Sequence, residues 1–480
     1  MEKTKKKEFI NRDLAWQNDD LLKRASIAYQ FARYALKLTY ESLPLEVIHQ
    51  VKRILLDTFA CAIGASKSPG RRIIEEMINE LGGQPESTVW GSGLQTSTLN
   101  TTLMNGFLIR YLDYNDNGGG CHNSEAIAAI LAVAERQRAK IEDFILSTVI
   151  SYELGERVRE SIIGKLEETG WNNDSRTGFS MPPALGKLMG LNEDQIANAI
   201  GIAGPHSPSL GILDADQEEL AMSKNLRFSI GAYQSILACF LSKRGFSGYL
   251  RVIEGDKGFR QVLTNNRMDL KRLVDFSGWR IMNTTFKTLC MNYDTHSNIL
   301  ATLAIVKEHD LKPEDIALVR IKTNARDVRH VTTIPWKKYP RNTENATHSI
   351  FFGNAMAIKE RALGPEQFRS EKFEDPVILD LIEKIIVERD PKIPESGELS
   401  LGGSSEIITT DNRRFEKSFD FPHGYIVDPL TDAEIEDKFK QAASIYMNSS
   451  NIKTIIESVW NLESLNAVQD LTKLLVWDNT

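Results

Sequence analysis

The chain has 480 residues, a length that exceeds one compact core and predicts two domains. Apolar residues make up 41% and charged residues 26%, which excludes a disordered or fibrous protein. Lys and Arg number 58 against 65 Asp and Glu, and this net charge of −7 argues against nucleic-acid binding, which normally needs a basic face. An anionic small molecule is not excluded, because a few local cations are enough to bind a carboxylate.

The sequence lacks strong metal, targeting and membrane signals. Its four cysteines lie far apart, without a CxxC pair or zinc spacing, at Cys61, Cys121, Cys239 and Cys290. We expect reduced, mostly buried thiols and neither metal nor cofactor; an iron–sulfur cluster on three thiols is the alternative. No apolar stretch follows the basic N-terminus, and the longest nearly unbroken apolar run, Ala126 to Ala134, is less than half a membrane span. These features predict a cytoplasmic protein that does not bind membranes.

Apolar residues in the first half recur at the spacing of successive helices. Ser42 can cap a helix that has Pro44 in its first turn. Asn192 can cap another, whose first turn is acidic as the helix dipole prefers. Residues 141–158 and 224–243 show the same period. The first half therefore predicts closely packed helices.

Strand patterns begin after about residue 275. Residues 316–323 (IALVRIKT) alternate between apolar and basic side chains, which predicts a strand. The stretch EIITTDNRRFEKSFDF predicts a hairpin that turns at Asp411-Asn412, whereas residues 349–360 and 377–387 have helical spacing. We therefore predict a mainly α protein with a large all-helical domain at 25–275, an inserted smaller α+β lid domain at 276–405, and a C-terminal segment, 406–480, that returns to the helical domain.

The densest polar cluster of the helical half is YLDYNDNGGGCHNSEA, which contains Asp113, Asn115, Asp116 and His122. Glycines 118–120 permit a sharp bend that presents these side chains. An acid and an imidazole in one loop are the groups that general acid–base catalysis requires. The alternative is an ordinary interhelical loop whose Asp and Asn side chains cap the next helix.

Lys224 begins an apolar, glycine-containing helix, where low dielectric would lower its pKa and make it a base or a carboxylate-binding cation. The alternative is that it extends to solvent, as most lysines do. Other candidate side chains lie in irregular segments, at His206, Lys287, His296 and His348.

The sequences of these segments and their order resemble those of the MmgE/PrpD family of 2-methylcitrate dehydratases, cis-aconitate decarboxylases and iminodisuccinate epimerases. The matching segments include VKRILLDTFACAIGA, GFLIRYLDYNDN, CHNSEAIAAILAVAE, SKNLRFSIGAYQSILACFLSKRGFSG, FKTLCMNYDTHS and YPRNTENATHS. They cover nearly the whole chain except about the first 25 and the last 30 residues. No single segment is specific to this family, but all of them together, in this order, are.

The resemblance implies a helical domain built from both chain ends, a lid, a homodimer and an active site in the cleft between the domains. It implies a small polycarboxylate substrate and no metal or other cofactor. By position, Asp113, His122 and Lys224 are the expected catalytic residues. The expected substrate-binding residues are Asn115, Asp116, Asn173, His206, Lys287, His296 and His348.

Two positions depart from the dehydratase pattern. Gly170-Trp171-Asn172-Asn173 stands where dehydratases tend to have Gly-Trp-Asp-His, and Asn123 follows His122 in place of proline. We expect a metal-independent lyase that dehydrates 2-methylcitrate or a related hydroxy acid. Decarboxylation of cis-aconitate and epimerisation of a dicarboxylate are alternatives within the family. A catalytically silent polycarboxylate-binding homologue is the alternative from another class, and an unrelated helical binding module is a more remote one.

Overall fold

The structure is a computed structural model that describes residue 21 and residues 23–118, 122–215, 217–332 and 334–477. Helices dominate its first half, as the apolar spacing predicts. In chain order they are α1 (Ile27–Lys37), α2 (Leu45–Gly64), α3 (Pro69–Leu81), α4 (Thr98–Arg110), α5 (Ala126–Gln137), α6 (Ile141–Ser161), α7 (Thr177–Leu188), α8 (Glu193–Ala203) and α9 (Arg227–Lys243). Two short strands, β1 (Ser87–Thr88) and β2 (Gln95–Thr96), pair between α3 and α4.

Helix α5 forms the centre of the helical core. Its residues from Ala126 to Ala134 are all buried, so the apolar run is a core helix. Helices α4, α6 and α9 pack around α5, and α2 packs on α4. Among the described helices, none has both the length and the apolarity needed to cross a bilayer.

The predicted helix starts are confirmed in one case and shifted in two. Asn192 caps α8, and its side chain accepts the Gln195 backbone N–H. Helix α2 starts at Leu45, because Pro44 is extended and occupies the N-cap position predicted for Ser42. Lys224 lies in a 3-10 turn, Met222–Leu226, so that α9 begins only after it.

A four-stranded sheet lies in the second half of the chain. Its strands are β3 (Ile316–Thr323), β4 (Ile385–Arg389), β5 (Gly403–Thr409) and β6 (Arg414–Phe419), in the spatial order β4-β3-β5-β6. Strand β3 pairs parallel to β4 and antiparallel to β5, and β5 and β6 form a hairpin. The predicted strand at 316–323 and the predicted hairpin are therefore confirmed.

The helices between α9 and the end of the sheet are mostly short, and the first two of them lie against the helical half. They are α10 (Phe259–Val262), α11 (Leu270–Leu273), α12 (His296–Glu308), α13 (Ala325–Thr332), α14 (Pro335–Lys338), α15 (Thr343–Ala346), α16 (Ile350–Glu360) and α17 (Pro376–Glu383). Helix α12 packs on β5, β6 and α16. The helix predicted at 377–387 is wrong in its second half, since α17 ends at Glu383 and β4 follows. A short apolar run fits either element, and pairing with β3 favours the strand here.

The C-terminal helices return to the helical half. They are α18 (Asp432–Ala443), α19 (Ser449–Trp460) and α20 (Val468–Leu474). Helices α18 and α19 pack on α2, and α20 packs on α5. The domain boundary predicted at residue 405 falls inside β5, whose pairing continues the sheet to Phe419. The lid domain must therefore extend at least that far, while the division into domains itself stays a prediction.

Three of the cysteines, Cys61, Cys239 and Cys290, are buried free thiols, and Cys121 lies outside the described residues, as do Gly119 and Gly120. Within the described ranges, no three His, Cys, Asp or Glu side chains are grouped so that they could hold a metal ion.

A buried ammonium group joins the C-terminal segment to the centre of the molecule. Lys438 of α18 donates to the Asp57 carboxylate of α2 at 2.6 Å. Its other two donors reach the carbonyl oxygens of Tyr114 at 2.8 Å and Lys287 at 2.9 Å. Three N–H groups thus find three acceptors, the full capacity of an ammonium. Lys438 therefore holds together four stretches of chain that are distant in sequence.

We expect Lys438→Met to lower the free energy of unfolding by about 3–5 kcal/mol, because it leaves the Asp57 carboxylate buried without its partner. Urea denaturation measures this change. Lys453→Met is the matched control, since Lys453 is exposed and pairs with Glu457 at 3.6 Å on the surface. Equal, small losses in both variants would contradict the structural importance of the buried pair.

Candidate active site

The carboxylate of Asp113, which is 2% exposed, lies at the centre of a cluster of cationic side chains. Lys287 Nζ is 2.7 Å and Arg110 Nη1 is 3.3 Å from Oδ1. His348 Nε2 is 3.1 Å and Lys224 Nζ is 3.6 Å from Oδ2. Three cationic side chains and one imidazole, all except Arg110 from distant stretches of the chain, thus surround one buried anion.

Local backbone geometry brings these stretches together. Asp113 follows α4 in a turn with φ of +49°, a left-handed conformation that Asp tolerates better than most residues. Asn117 and Thr285 exchange two backbone hydrogen bonds of 2.9 Å, which places the segment of Lys287 beside the Asp113 turn. Lys287 also donates to the Asp113 carbonyl oxygen at 2.7 Å, so that one ammonium holds both the backbone and the carboxylate of Asp113.

A cavity of about 620 Å³ opens beside this cluster. Asp113, His122, Lys287 and His348 line it. Lys224 contacts it through two lining carboxylates, with Nζ 3.6 Å from Asp113 and 3.9 Å from Asp214. Two of the three residues predicted to be catalytic, Asp113 and His122, thus line one cavity, and the third, Lys224, lies directly behind its wall.

The His122 ring is oriented as a neutral base. Nδ1 lies 2.6 Å from the Asp116 carbonyl oxygen, an acceptor, so Nδ1 carries the proton. Burial and the nearby Arg110 cation hold the pKa of His122 well below its usual range. The ring is therefore neutral at neutral pH, and Nε2 keeps a free electron pair for a proton.

Lys224, in contrast to His122, is protonated at neutral pH and can serve as an acid. Burial lowers its pKa to about 8, although the Asp113 carboxylate opposes the shift. Burial alone would raise the pKa of Asp113, but Lys287, Lys224 and Arg110 outweigh it and hold that pKa well below its usual range. At neutral pH the site therefore contains an ionised Asp113 and a protonated Lys224 that can give up its proton at little cost.

His348 and Asp113 form a pair that can share one proton. His348 Nδ1 lies 2.9 Å from the Glu344 carbonyl oxygen, so Nδ1 carries a proton. Burial and Lys224 lower the pKa of His348 to about 3, which leaves its Nε2 without a proton 3.1 Å from an Asp113 oxygen. Two acceptors face each other there, and a donated proton would make their contact favourable.

Four residues predicted to bind substrate lie outside the cavity lining. Asn115 donates to the Ser124 hydroxyl at 3.0 Å, and that hydroxyl donates to Asp116 at 2.6 Å, so both side chains stabilise their own loop. His206 lies on an exposed turn after α8. His296 is fully buried, with Nε2 3.2 Å from the Met291 carbonyl oxygen. Among these predictions, only Asn173, Lys287 and His348 line the cavity.

Among the charged lining residues that sequence reasoning missed, Arg110, Asp214 and Arg227 lie nearest to the predicted catalytic residues. Arg227 lies 2.7 Å from Asp214 and 2.6 Å from the buried Asp174. The i, i+3 spacing of Arg110 and Asp113 was a usable signal, because it places both side chains on one side of a helix end. No comparable pattern marks Asp214, which ends a short 3-10 turn, Gly211–Asp214.

Two family models match the chain, the MmgE/PrpD N-terminal domain over residues 29–271 and the MmgE/PrpD C-terminal domain over residues 290–463. The chain belongs to the MmgE/PrpD family. Asp113, His122 and Lys224 lie in the N-terminal match and His348 in the C-terminal one. Lys287 lies in the segment between the two matches.

Curated relatives of this MmgE/PrpD protein resemble it at low identity. Human cis-aconitate decarboxylase is 23% identical over 473 residues, which cover 95% of this chain and 95% of the relative. The cis-aconitate decarboxylase-like protein oryM of Aspergillus oryzae is 22% identical, over 95% of this chain and 98% of its own length. The alkylcitrate dehydratase phiI of a fungal species is 23% identical, over 74% of this chain and 75% of its own.

Proposed function

We propose that this MmgE/PrpD protein is a lyase that moves a proton at a carbon atom of a small polycarboxylate. One observation carries the proposal. A neutral imidazole base, His122, lines the cavity, and an ammonium acid, Lys224, lies next to two carboxylates of its lining, those of Asp113 and Asp214. Proton transfer next to a carboxylate needs this combination, because the developing carbanion must be stabilised by positive charge.

Among the reactions of the family, we place decarboxylation of a cis-aconitate-like acid first. The bond between carbon and one carboxylate breaks, carbon dioxide leaves, and its electron pair stays on the substrate carbon. Lys224 then supplies the proton that this carbon takes up. The similarity to cis-aconitate decarboxylases over 95% of this chain supports this order, since the alkylcitrate dehydratase matches only 74% of it.

Dehydration of a hydroxy-tricarboxylate, the reaction expected first from the sequence, is the second candidate. Here His122 Nε2 removes the proton next to a carboxylate and a carbon–carbon double bond forms. The carbon–oxygen bond breaks as Lys224 protonates the leaving hydroxide to water. In both reactions the Asp113 carboxylate, which neighbouring cations keep ionised, orients the ammonium group of Lys224.

The cavity lining favours a substrate without a long alkyl chain. Most lining side chains are charged or polar, and the larger aliphatic ones are few: Ile162, Leu166, Leu220 and Ile350. Burying an alkyl chain against charged groups gains little, because those groups lose water in exchange. We therefore place cis-aconitate and citrate ahead of the alkylcitrates as substrates.

Substitution tests the two proton-handling residues. We expect His122→Ala and Lys224→Ala each to reduce turnover at least about 100-fold, because each removes a general acid or base. His206→Ala is the matched control, since His206 is exposed and lies outside the cavity lining. Circular dichroism checks that all three variants are folded. Near-normal turnover in both of the first two variants would end the assignment.

Proton NMR in deuterium oxide tests the reaction, with cis-aconitate, citrate, 2-methylcitrate and a chiral dicarboxylate as separate substrates. We expect cis-aconitate to lose one carboxylate and gain one deuterium on carbon. Loss of water from citrate or 2-methylcitrate would move dehydration to first place, and deuterium exchange with inversion of the dicarboxylate would indicate an epimerase. Binding of these acids without any turnover or exchange would identify a catalytically silent homologue and overturn the proposal.

The pH dependence of kcat/KM tests the role of Lys224. Because its ammonium must be protonated to donate, we expect kcat/KM to fall above about pH 8, the pKa to which burial lowers Lys224. His122 is already neutral through the physiological range, so no acidic limb should appear near its ordinary pKa. Lys224→Arg keeps a permanent cation, and its residual activity should lack the alkaline limb. An unchanged alkaline limb in that variant would assign the titration to another group.

A further inference from the structure

Arg110, Arg157 and Arg176 are the arginines among the largest fully buried side chains. Arg157 shows how a structural arginine is satisfied: it donates to the Glu153 carboxylate and to the carbonyl oxygens of Asp275, Ser277 and Gly278. Arg176 donates to Asn123 at 2.8 Å and to Asp174 at 3.4 Å. Buried guanidinium groups need such partners, because an unsatisfied buried cation is strongly destabilising.

Arg110 differs from both. It is 1% exposed, yet its Nε and Nη1 atoms make no hydrogen bond to any residue that the structure describes. It also lines the cavity, which neither Arg157 nor Arg176 does. A buried guanidinium at a cavity wall, with two donor atoms that lack hydrogen-bond partners, is a candidate ligand-binding group.

The carboxylates near Arg110 do not compensate its charge. Asp113 Oδ1 is 3.3 Å from Nη1, but Lys287 approaches the same oxygen more closely, at 2.7 Å. Glu125 Oε1 is 3.8 Å from Nε, beyond hydrogen-bonding distance, and both Glu125 carboxyl oxygens lack partners among the described residues. Burial raises the pKa of Glu125 to about 8, so that this carboxyl is mostly neutral at neutral pH. Arg110 therefore shares its nearest anion, Asp113, with Lys287 and makes no hydrogen bond through Nε or Nη1 among the described residues.

We propose that Arg110 binds one carboxylate of the substrate and makes the site select tricarboxylates over dicarboxylates. This inference rests on the proposed function, which supplies the polycarboxylate. The guanidinium fork matches a carboxylate in shape and charge, and the pair is strong where water is excluded. Two other lining cations near Asp113 are already engaged, Lys287 with Asp113 and Arg227 with Asp214 and Asp174. Arg110 thus adds a carboxylate position that these cations do not provide.

Calorimetry with two unreactive acids tests the selection. Propane-1,2,3-tricarboxylate has neither a hydroxyl group to lose nor a double bond, and glutarate has a similar chain with one carboxylate fewer. We expect the unmodified protein to bind the tricarboxylate about 10- to 100-fold more tightly, the range for one charge-assisted interaction. Arg110→Gln should lose that factor for the tricarboxylate and leave the glutarate affinity within about twofold.

Thermal unfolding separates this role from a structural one. Without ligand, Arg110→Gln should unfold close to the temperature of the unmodified protein, because Lys287 and Lys224 still compensate the Asp113 carboxylate. Arg157→Gln is the matched control, and it should unfold at a lower temperature. Where it remains folded, its preference for the tricarboxylate should be unchanged. Arg110→Lys keeps the charge without the planar fork and should still lose at least about tenfold in tricarboxylate affinity.

The outcomes distinguish the two proposals. If the unmodified protein binds neither acid, the proposed function fails and this inference fails with it. If it prefers the tricarboxylate but Arg110→Gln and Arg110→Lys keep that preference, only the role of Arg110 is overturned. If Arg110→Gln does not fold, Arg110 has a structural role and the inference is overturned as well.

Discussion

The burial of one carboxylate, that of Asp113, is the constraint on which the site depends. An ionised carboxylate is too costly to remove from water unless cations and donors replace the lost hydration. Lys287 and Lys224 do so from two stretches of the chain that are distant from Asp113 in sequence. Asp113 and Lys224 belong to the N-terminal family match and His348 to the C-terminal one. The site is therefore complete only when these two parts of the chain pack against each other.

The same contacts maintain the backbone of the site. The left-handed turn at Asp113 is strained by about 1–2 kcal/mol for a residue with a side chain. Lys287 holds the carbonyl oxygen of Asp113, while Lys438 holds those of Tyr114 and of Lys287 itself. Two ammonium groups thus fix the turn from both sides. Because the charges are fixed before any ligand arrives, the site need not reorganise as charge develops on a substrate.

Elements that depend on local pattern were predictable from the sequence, and those that depend on distant partners were not. Helix α8 and strand β3 follow from periodicity and capping, whereas β4 exists because a parallel neighbour pairs with it across more than 50 residues. In the polar loop, Asp113 and Asp116 are chemically equivalent in sequence. Only the fold directs one carboxylate to a cavity and the other to Ser124. The unsatisfied state of Arg110 is likewise a tertiary property.

The departure at Asn172-Asn173 bears on which reaction the cavity favours. Asn172 caps the backbone N–H of Asp174 at 2.9 Å, and Asp174 in turn lies 2.6 Å from Arg227 at the cavity wall. An amide does not titrate, so this segment, in which Asn173 stands where dehydratases tend to have histidine, helps to position a cation and supplies no imidazole. Dehydration needs one proton removed and one supplied, whereas decarboxylation needs only one supplied to carbon. The absence of an imidazole at Asn173, beside an ammonium acid and its neighbouring cations, therefore supports the proposal that places decarboxylation first.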